Sequence, residues 1–229
     1  MPFYYGYDSA YLMIMLVSLV LGLGTQAYIK NTYNKWSKVS VGSGETGAEV
    51  ARRMLNSEGA TSVNIVGTPG HLTDFYDPRD NNLHLSHDNE YGGSIASVAV
   101  ACHEAGHAVQ AAKGYGPYKL RTALAPVVSF TNNAWSMLFF MGIILNLAGL
   151  VTLGIWFFAF TVIFQLVTLP VEINASRRAV EYVGANLDPA SKRGAKQVLT
   201  AAALTYVAAA LVSIMQLLYL IGRADRNNN

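Results

Sequence analysis

Charge is what this chain has least of. Asp, Glu, Lys and Arg make up 13% of its 229 residues, about half the share of an ordinary soluble domain. The shortage is local. No charged residue occurs between Asp8 and Lys30, between Arg121 and Glu172, or between Lys196 and Arg223. Windows that long, in a chain that is 52% hydrophobic, do not suit the buried helices of a water-soluble domain. A bilayer span needs about 20 apolar residues. The first and third windows hold one span each. The middle window, 122–171, holds two spans and a tight turn. Cysteine is nearly absent as well. Cys102 alone excludes an internal disulfide and agrees with a reducing compartment. A formal net charge of +2 lacks the basic excess that a nucleic-acid partner demands. No internal repeat is evident. The first window has no basic leader and no small-x-small cleavage site, so it reads as a retained span and not a signal peptide.

The expected organisation is a tail at 1–9, spans at 10–29, 123–146, 150–170 and 198–222, and a tail at 223–229. Polar segments at 30–122 and 171–197 separate them. Nine of the 16 Lys and Arg residues lie from Lys30 to Arg121 and five from Arg177 to Lys196. The turn at Asn146-Leu147-Ala148-Gly149 carries none. The positive-inside rule then puts both polar segments in the cytoplasm and both termini outside. The expected location is a plasma (inner) membrane, crossed several times, with the lipid bilayer as a partner. Tyr4, Tyr5, Tyr7, Tyr11 and Trp36 suit the membrane interface.

One stretch organises the rest: Cys102-His103-Glu104-Ala105-Gly106-His107. His103 and His107 are four apart, so a helix stacks them on one face, where both imidazoles reach one zinc ion. Glu104 is placed to deprotonate a water there. Ser94 is the expected N-cap and Gly114 the expected stop. Between them the residues are small and apolar, apart from the motif, Gln110 and Lys113. Such a helix would not bury His, Glu and His without a partner. Gly106 weakens the helix and fits close backbone packing. Cys102 points about 100° away from His103 and reads as a small buried residue.

Upstream, Thr46-x-x-Glu49 is a capping box and Val50, Met54 and Leu55 give its helix an apolar face. Strands are expected at Ser62–Val66, Leu72–Tyr76 and Leu83–Ser86. Leu83–Ser86 is the candidate edge for pairing with an extended peptide. In the second span, Ser129, Thr131, Asn132, Asn133 and Ser136 face either a cavity or a neighbouring helix. Pro170 is expected to mark the change from membrane helix to the next element.

A catalytic zinc takes three protein ligands and leaves one position open. Glu172, at a membrane exit on the motif's side, is the leading third ligand. His71, His84, His87, Glu181 and Asp188 remain rivals on position alone. His71, Tyr76, Tyr91 and Arg178 are candidate oxyanion or substrate contacts.

Several runs resemble the YugP-type membrane zinc metallopeptidases of bacteria. They are Pro69-Gly70-His71-Leu72-Thr73-Asp74-Phe75-Tyr76-Asp77-Pro78, Leu85-Ser86, the His103–His107 motif, Leu120-Arg121-Thr122-Ala123-Leu124, and Gln165-Leu166-Val167-Thr168-Leu169-Pro170-Val171-Glu172. The resemblance covers nearly the whole chain. That family is similar to the HtpX-type and prenyl-protein membrane proteases, whose Glu-x-x-Ala-Asp stretch supplies the third zinc ligand. Glu172-Ile173-Asn174-Ala175-Ser176 falls on that pattern, so the resemblance implies Glu172 as a ligand. Ser176 departs from it, standing where that Asp would be, and Asn174 stands where an Asp is expected in YugP-type sequences. That leaves the acidic partner of a zinc histidine unassigned, though Asn174 can still accept a hydrogen bond from behind the ligands.

The expected fold is therefore a mainly α membrane protein of four transmembrane helices. A small cytoplasmic α+β zincin-like portion carries the motif helix. The expected activity is a zinc-dependent endopeptidase with one zinc per chain, acting on peptide or membrane-protein substrates. The alternatives are a non-catalytic, zinc-stabilised membrane scaffold and a prenyl-protein protease proper. An intact Glu104 speaks against the scaffold, and four spans are few for the apolar chamber the other would need.

Overall fold

The computed structural model describes residues 8–228. The interfacial tyrosines expected at positions 4, 5 and 7 lie outside them. The chain is mostly helical. In order it forms α1 (Ser9–Trp36), α2 (Gly47–Ser57), β1 (Asn64–Thr68), β2 (Phe75–Asp77), β3 (Asn82–Ser86), α3 (His87–Glu90), α4 (Ile95–Ala112), α5 (Gly116–Ile144), α6 (Ala148–Asn186) and α7 (Pro189–Asn228). Helices α1, α5, α6 and α7 are long and apolar enough to cross a membrane. The chain divides into two compact units.

One unit comprises Met1–Gly24, Leu120–Leu169 and Tyr206–Asn229. Its large apolar side chains point outward. Leu16, Leu19, Leu23, Phe130, Phe140, Ile144 and Trp156 are all more than half exposed. Water does not tolerate an apolar surface of that extent, whereas bilayer hydrocarbon does. The interior is small and aromatic, with Phe139, Val151 and Ile155 packed by Trp135, Ile143, Leu217 and Leu220. Between α5 and α6 the chain reverses at Asn146, which takes φ 55°. The Leu147 N–H closes this turn on the Gly142 carbonyl at 2.8 Å. The polar residues of α5 bond partly to their own helix. Thr131 Oγ1 donates to the Val128 carbonyl at 3.2 Å and Asn133 Nδ2 to the Ser129 carbonyl at 2.9 Å.

The other unit comprises Thr25–Lys119 and Pro170–Thr205. Here the apolar residues face inward. Val50, Met54 and Leu55 of α2 are fully buried against α4. The capping box holds α2's start: Thr46 Oγ1 accepts the Glu49 N–H, and Glu49 Oε2 accepts the Thr46 N–H. Trp36, at the end of α1, donates its indole N–H to Gln197 Oε1 of α7 at 2.9 Å. A three-stranded sheet has the order β1-β3-β2, with β1 parallel and β2 antiparallel to β3.

That order corrects the expected edge, because β3 is the central strand. The alternation of its side chains puts Leu83 and Leu85 wholly in the core. A strand that contributes so much to the core is flanked on both sides, and β1 and β2 are the edges. The strand expected over Leu72–Tyr76 shrinks to Phe75–Asp77. Gly70 at φ 108° and Leu72 at φ 55° hold the backbone outside strand geometry there.

Pro170 does not end a helix. Helix α6 runs unbroken through it. Val171, Ala175, Ala179 and Val183, four apart, are all fully buried. One buried helical face thus continues beyond the proline, and its packing offsets the hydrogen bond that Pro170 cannot donate.

Candidate metal centre

Helix α4 begins where Ser94 Oγ accepts the Ser97 N–H at 3.0 Å. It gives way at Gly114, φ 64°. Between these points its residues are small, which lets α6 approach closely. At Gly106 an added Cβ would lie 2.9 Å from the Ala175 carbonyl oxygen and 3.2 Å from its Cα. Only glycine permits that contact. The approach sets Glu172, one turn before Ala175 on α6, against the two motif histidines.

The His103 and His107 rings lie edge to face with centroids 4.8 Å apart. Glu172 Oε2 is 3.3 Å from His103 Nε2 and 3.6 Å from His107 Nε2. One donor atom from each residue lies within 4.8 Å of the other two. The Glu172 side chain is 3% exposed and those of His103 and His107 are 13% and 8%. Two atoms bound to one zinc at about 2.0–2.2 Å, with tetrahedral angles, stand about 3.3–3.6 Å apart. The two nitrogen–oxygen distances match that spacing. Borderline-soft nitrogens with one carboxylate are also a donor set that zinc accepts. The residues present fit the ion.

The far side of each imidazole is occupied. His103 Nδ1 is 3.1 Å from Ser176 Oγ and His107 Nδ1 is 3.0 Å from Gln110 Oε1. Such bonds turn the Nε2 atoms toward Glu172. Gln110 is wholly buried. Its Nε2 donates to the Val171 carbonyl at 2.8 Å and to Asn174 Oδ1 at 3.0 Å. Asn174 Oδ1 also accepts from Arg178 Nε at 3.0 Å. Asn174 therefore bonds Gln110, and it is Ser176 that bonds His103. Sequence reasoning missed both Gln110 and Ser176 as partners. The available signal was spacing: Gln110 follows His107 by three and Ser176 follows Glu172 by four, each on the ligand's helix face.

Glu104 is half-buried on the same turn of α4. Cys102 is fully buried, and burial pushes its thiol up to about 12 against a smaller opposing pull from Arg53. It is a packed thiol, not a reactive one.

The remaining candidates are engaged elsewhere. His71 Nδ1 pairs with Asp88 at 2.9 Å. His84 stacks on Phe75 and reaches Asp80 at 3.2 Å. His87 packs on Tyr91, which is exposed. Tyr76 donates its hydroxyl to Asn81 Oδ1 at 2.9 Å. Glu181 is exposed beside Arg177. Asp188 accepts the N–H groups of Ala190 and Ser191. Among the described residues, His103, His107 and Glu172 are the one group of three metal-type side chains with converging donor atoms.

Four membrane-length helices and a buried His-His-Glu group define a class: a helical membrane protein built around a metal-type donor set. The comparisons with known proteins carry this further. A family model described as "Putative neutral zinc metallopeptidase" matches residues 11–225. This chain belongs to that family. It is 43% identical over 210 residues to "Putative membrane protease YugP" of Bacillus subtilis (strain 168), a match covering 91% of this chain and 93% of the relative. No solved structure matches the chain. Membership makes the protein a zinc-peptidase relative, and its likeness to a membrane protease together with four membrane-length helices makes it a membrane protein.

Proposed function

We propose that this protein is a membrane zinc endopeptidase whose zinc, one per chain, is held by His103, His107 and Glu172. The observation that carries the reading is the convergence of both Nε2 atoms on Glu172 Oε2 at tetrahedral-edge distances. The donor set is three, not four, which suits a catalytic site with an open position better than a closed structural one. Zinc bound there would polarise a peptide carbonyl and acidify a water. The Glu104 carboxylate takes the proton from the attacking water and returns it to the departing amine nitrogen as the C–N bond breaks. Ser176 and Gln110 hold the two imidazoles in place. Of the oxyanion-contact candidates, Arg178 joins this network through the bond from its Nε to Asn174, while His71 and Tyr76 bond to Asp88 and Asn81.

The distribution of Lys and Arg supports a cytoplasmic site, with 30–122 and 171–197 inside and both termini outside. The zincin-like portion then joins spans near 10–29, 123–146, 150–170 and 198–222. Substrates are peptides or membrane proteins presented at that face.

The test pairs zinc content with casein cleavage in the purified protein. Wild type should carry about one zinc and cleave. Glu104→Gln should keep its zinc and lose about 10²–10⁴-fold in rate, the usual contribution of a positioned base. Glu172→Ala should lose both zinc and activity. Equal cleavage by wild type and Glu104→Gln would overturn the mechanism. A wild type that holds zinc yet never cleaves would favour the scaffold.

A further inference from the structure

We infer that Arg178, Asn174 and Gln110 form a hydrogen-bond chain, its donors converging on the Asn174 amide oxygen, that fixes the tautomer of His107 and so presents its Nε2 lone pair to the metal. The inference rests on the metal-site reading and adds Arg178 and Asn174 as positioning residues behind Gln110.

The argument is one of donors and acceptors. Arginine only donates. The Asn174 atom 3.0 Å from Arg178 Nε is therefore the amide oxygen. That same oxygen lies 3.0 Å from a terminal atom of Gln110. The Gln110 atom must then be the donating nitrogen. A second group fixes it independently, because it also lies 2.8 Å from the Val171 carbonyl, which only accepts. With the nitrogen committed twice, the other end of Gln110 is the oxygen, and it faces His107 Nδ1 at 3.0 Å. An amide oxygen only accepts. His107 must therefore carry a proton on Nδ1, so in the neutral ring, the form that binds a metal, the lone pair is on Nε2, the atom directed at Glu172. No choice of amide orientation survives except this one. Gln110 is wholly buried, so water cannot substitute for a broken link.

The chain also explains how Asn174 serves where an acidic residue was expected. The relay needs an acceptor at position 174 for two donors, and one amide oxygen supplies it. His103 differs. Its Nδ1 meets the Ser176 hydroxyl, which can donate or accept, so that bond leaves the tautomer open.

The test uses the full chain in detergent and zinc itself, titrated against a chelating dye. Gln110→Leu and Asn174→Leu should each weaken zinc binding about 10–100-fold, the usual loss when the support behind a ligand is removed. Asn174→Asp still accepts from both neighbours and should keep wild-type affinity. Nitrogen NMR of the zinc-free wild type should show His107 protonated on Nδ1, and Gln110→Leu, which removes the acceptor itself, should show a tautomer mixture. A wild type with no proton on Nδ1 overturns the relay even if the Leu variants fail to fold. So does an Asn174→Asp as weak as Asn174→Leu, which would make position 174 a packing residue. A wild type that binds no zinc removes the metal-site reading and the relay with it. A wild type that binds zinc with relay-dependent affinity but cleaves nothing removes the peptidase reading alone.

Discussion

The two units use apolar residues in opposite ways. In the unit of Leu120–Leu169 and its partner segments, Leu19 is 58% exposed and Trp156 is 64% exposed. In the unit that carries the candidate metal centre, Leu83 is wholly buried and Trp36 is 7% exposed, with its indole N–H bonded. The residue types are the same and the solvent differs. In hydrocarbon an outward leucine loses nothing, so the first unit needs only a small aromatic interior. In water the same leucine must be covered, so the second unit builds a layered core of α2, α4 and β3. Rigid placement of a metal site belongs in the second kind of unit. There the hydrophobic effect, absent between helices in lipid, presses α4 onto α6 and holds Glu172 against two histidines.

The sharpest way to break the comparison is to delete the same side chain in both units. Leu83→Ala should cost about 2–5 kcal/mol, because it removes methyl groups from a packed core and leaves a cavity. Leu19→Ala should change stability by less than about 0.5 kcal/mol, the usual range for a side chain that packs against nothing in the protein. Thermal unfolding in one detergent checks both. Equal losses would mean that Leu19 packs against protein and does not face lipid.

How much of this was legible in the sequence follows the same division. Spans are set by composition alone, so α1, α5, α6 and α7 could be read from windows without charge. The motif helix was legible because its spacing and caps are local: Ser94 and Gly114 sit where the helix begins and gives way. Strand order was not legible. Nothing local distinguishes a central strand from an edge, and Leu83–Ser86 proved central. Pro170 misled because its effect on the backbone is local, while the burial of Val171, Ala175, Ala179 and Val183 that carries α6 past it is tertiary. The contact of Gln110 with Asn174 links residues 64 apart in the chain. No pattern along one helix could show it, although the position of Gln110 three after His107 was a usable hint.

A second contrast is between glycines. Gly106 is held against Ala175, whereas an added Cβ on Gly22 meets nothing within 4 Å. Gly106→Ala should cost about 1–3 kcal/mol through overpacking and weaken zinc binding, since α6 must shift at Glu172. Gly22→Ala should be neutral or stabilising by up to about 1 kcal/mol, the gain in helix propensity. Melting temperature and zinc affinity, measured together, separate the two. If Gly106→Ala left both unchanged, the close approach of α4 and α6 would not be what positions the donor set.

A smaller loss than those at Leu83 and Gly106 is expected at the start of α7, in the unit whose stability answers to water. Asp188 accepts from the Ser191 hydroxyl and from the N–H groups of Ser191, Gly42 and Ala190, with Pro189 opening the helix. Those bonds hold its carboxyl down at about 2, led by the one from the Ser191 hydroxyl. The folded value is below the unfolded one, so the unfolded chain takes up the proton first as pH falls. The stabilisation is complete above about 4, where the free carboxyl is ionised, and is lost as pH drops through about 2. Asp188→Ala should therefore cost about 0.5–2 kcal/mol at pH 7, the value of a helix cap, and the gap to wild type should narrow below pH 4. Unfolding followed at pH 7 and pH 3 checks the sign. A gap that widens in acid would mean that the protonated form, and not the carboxylate, caps α7.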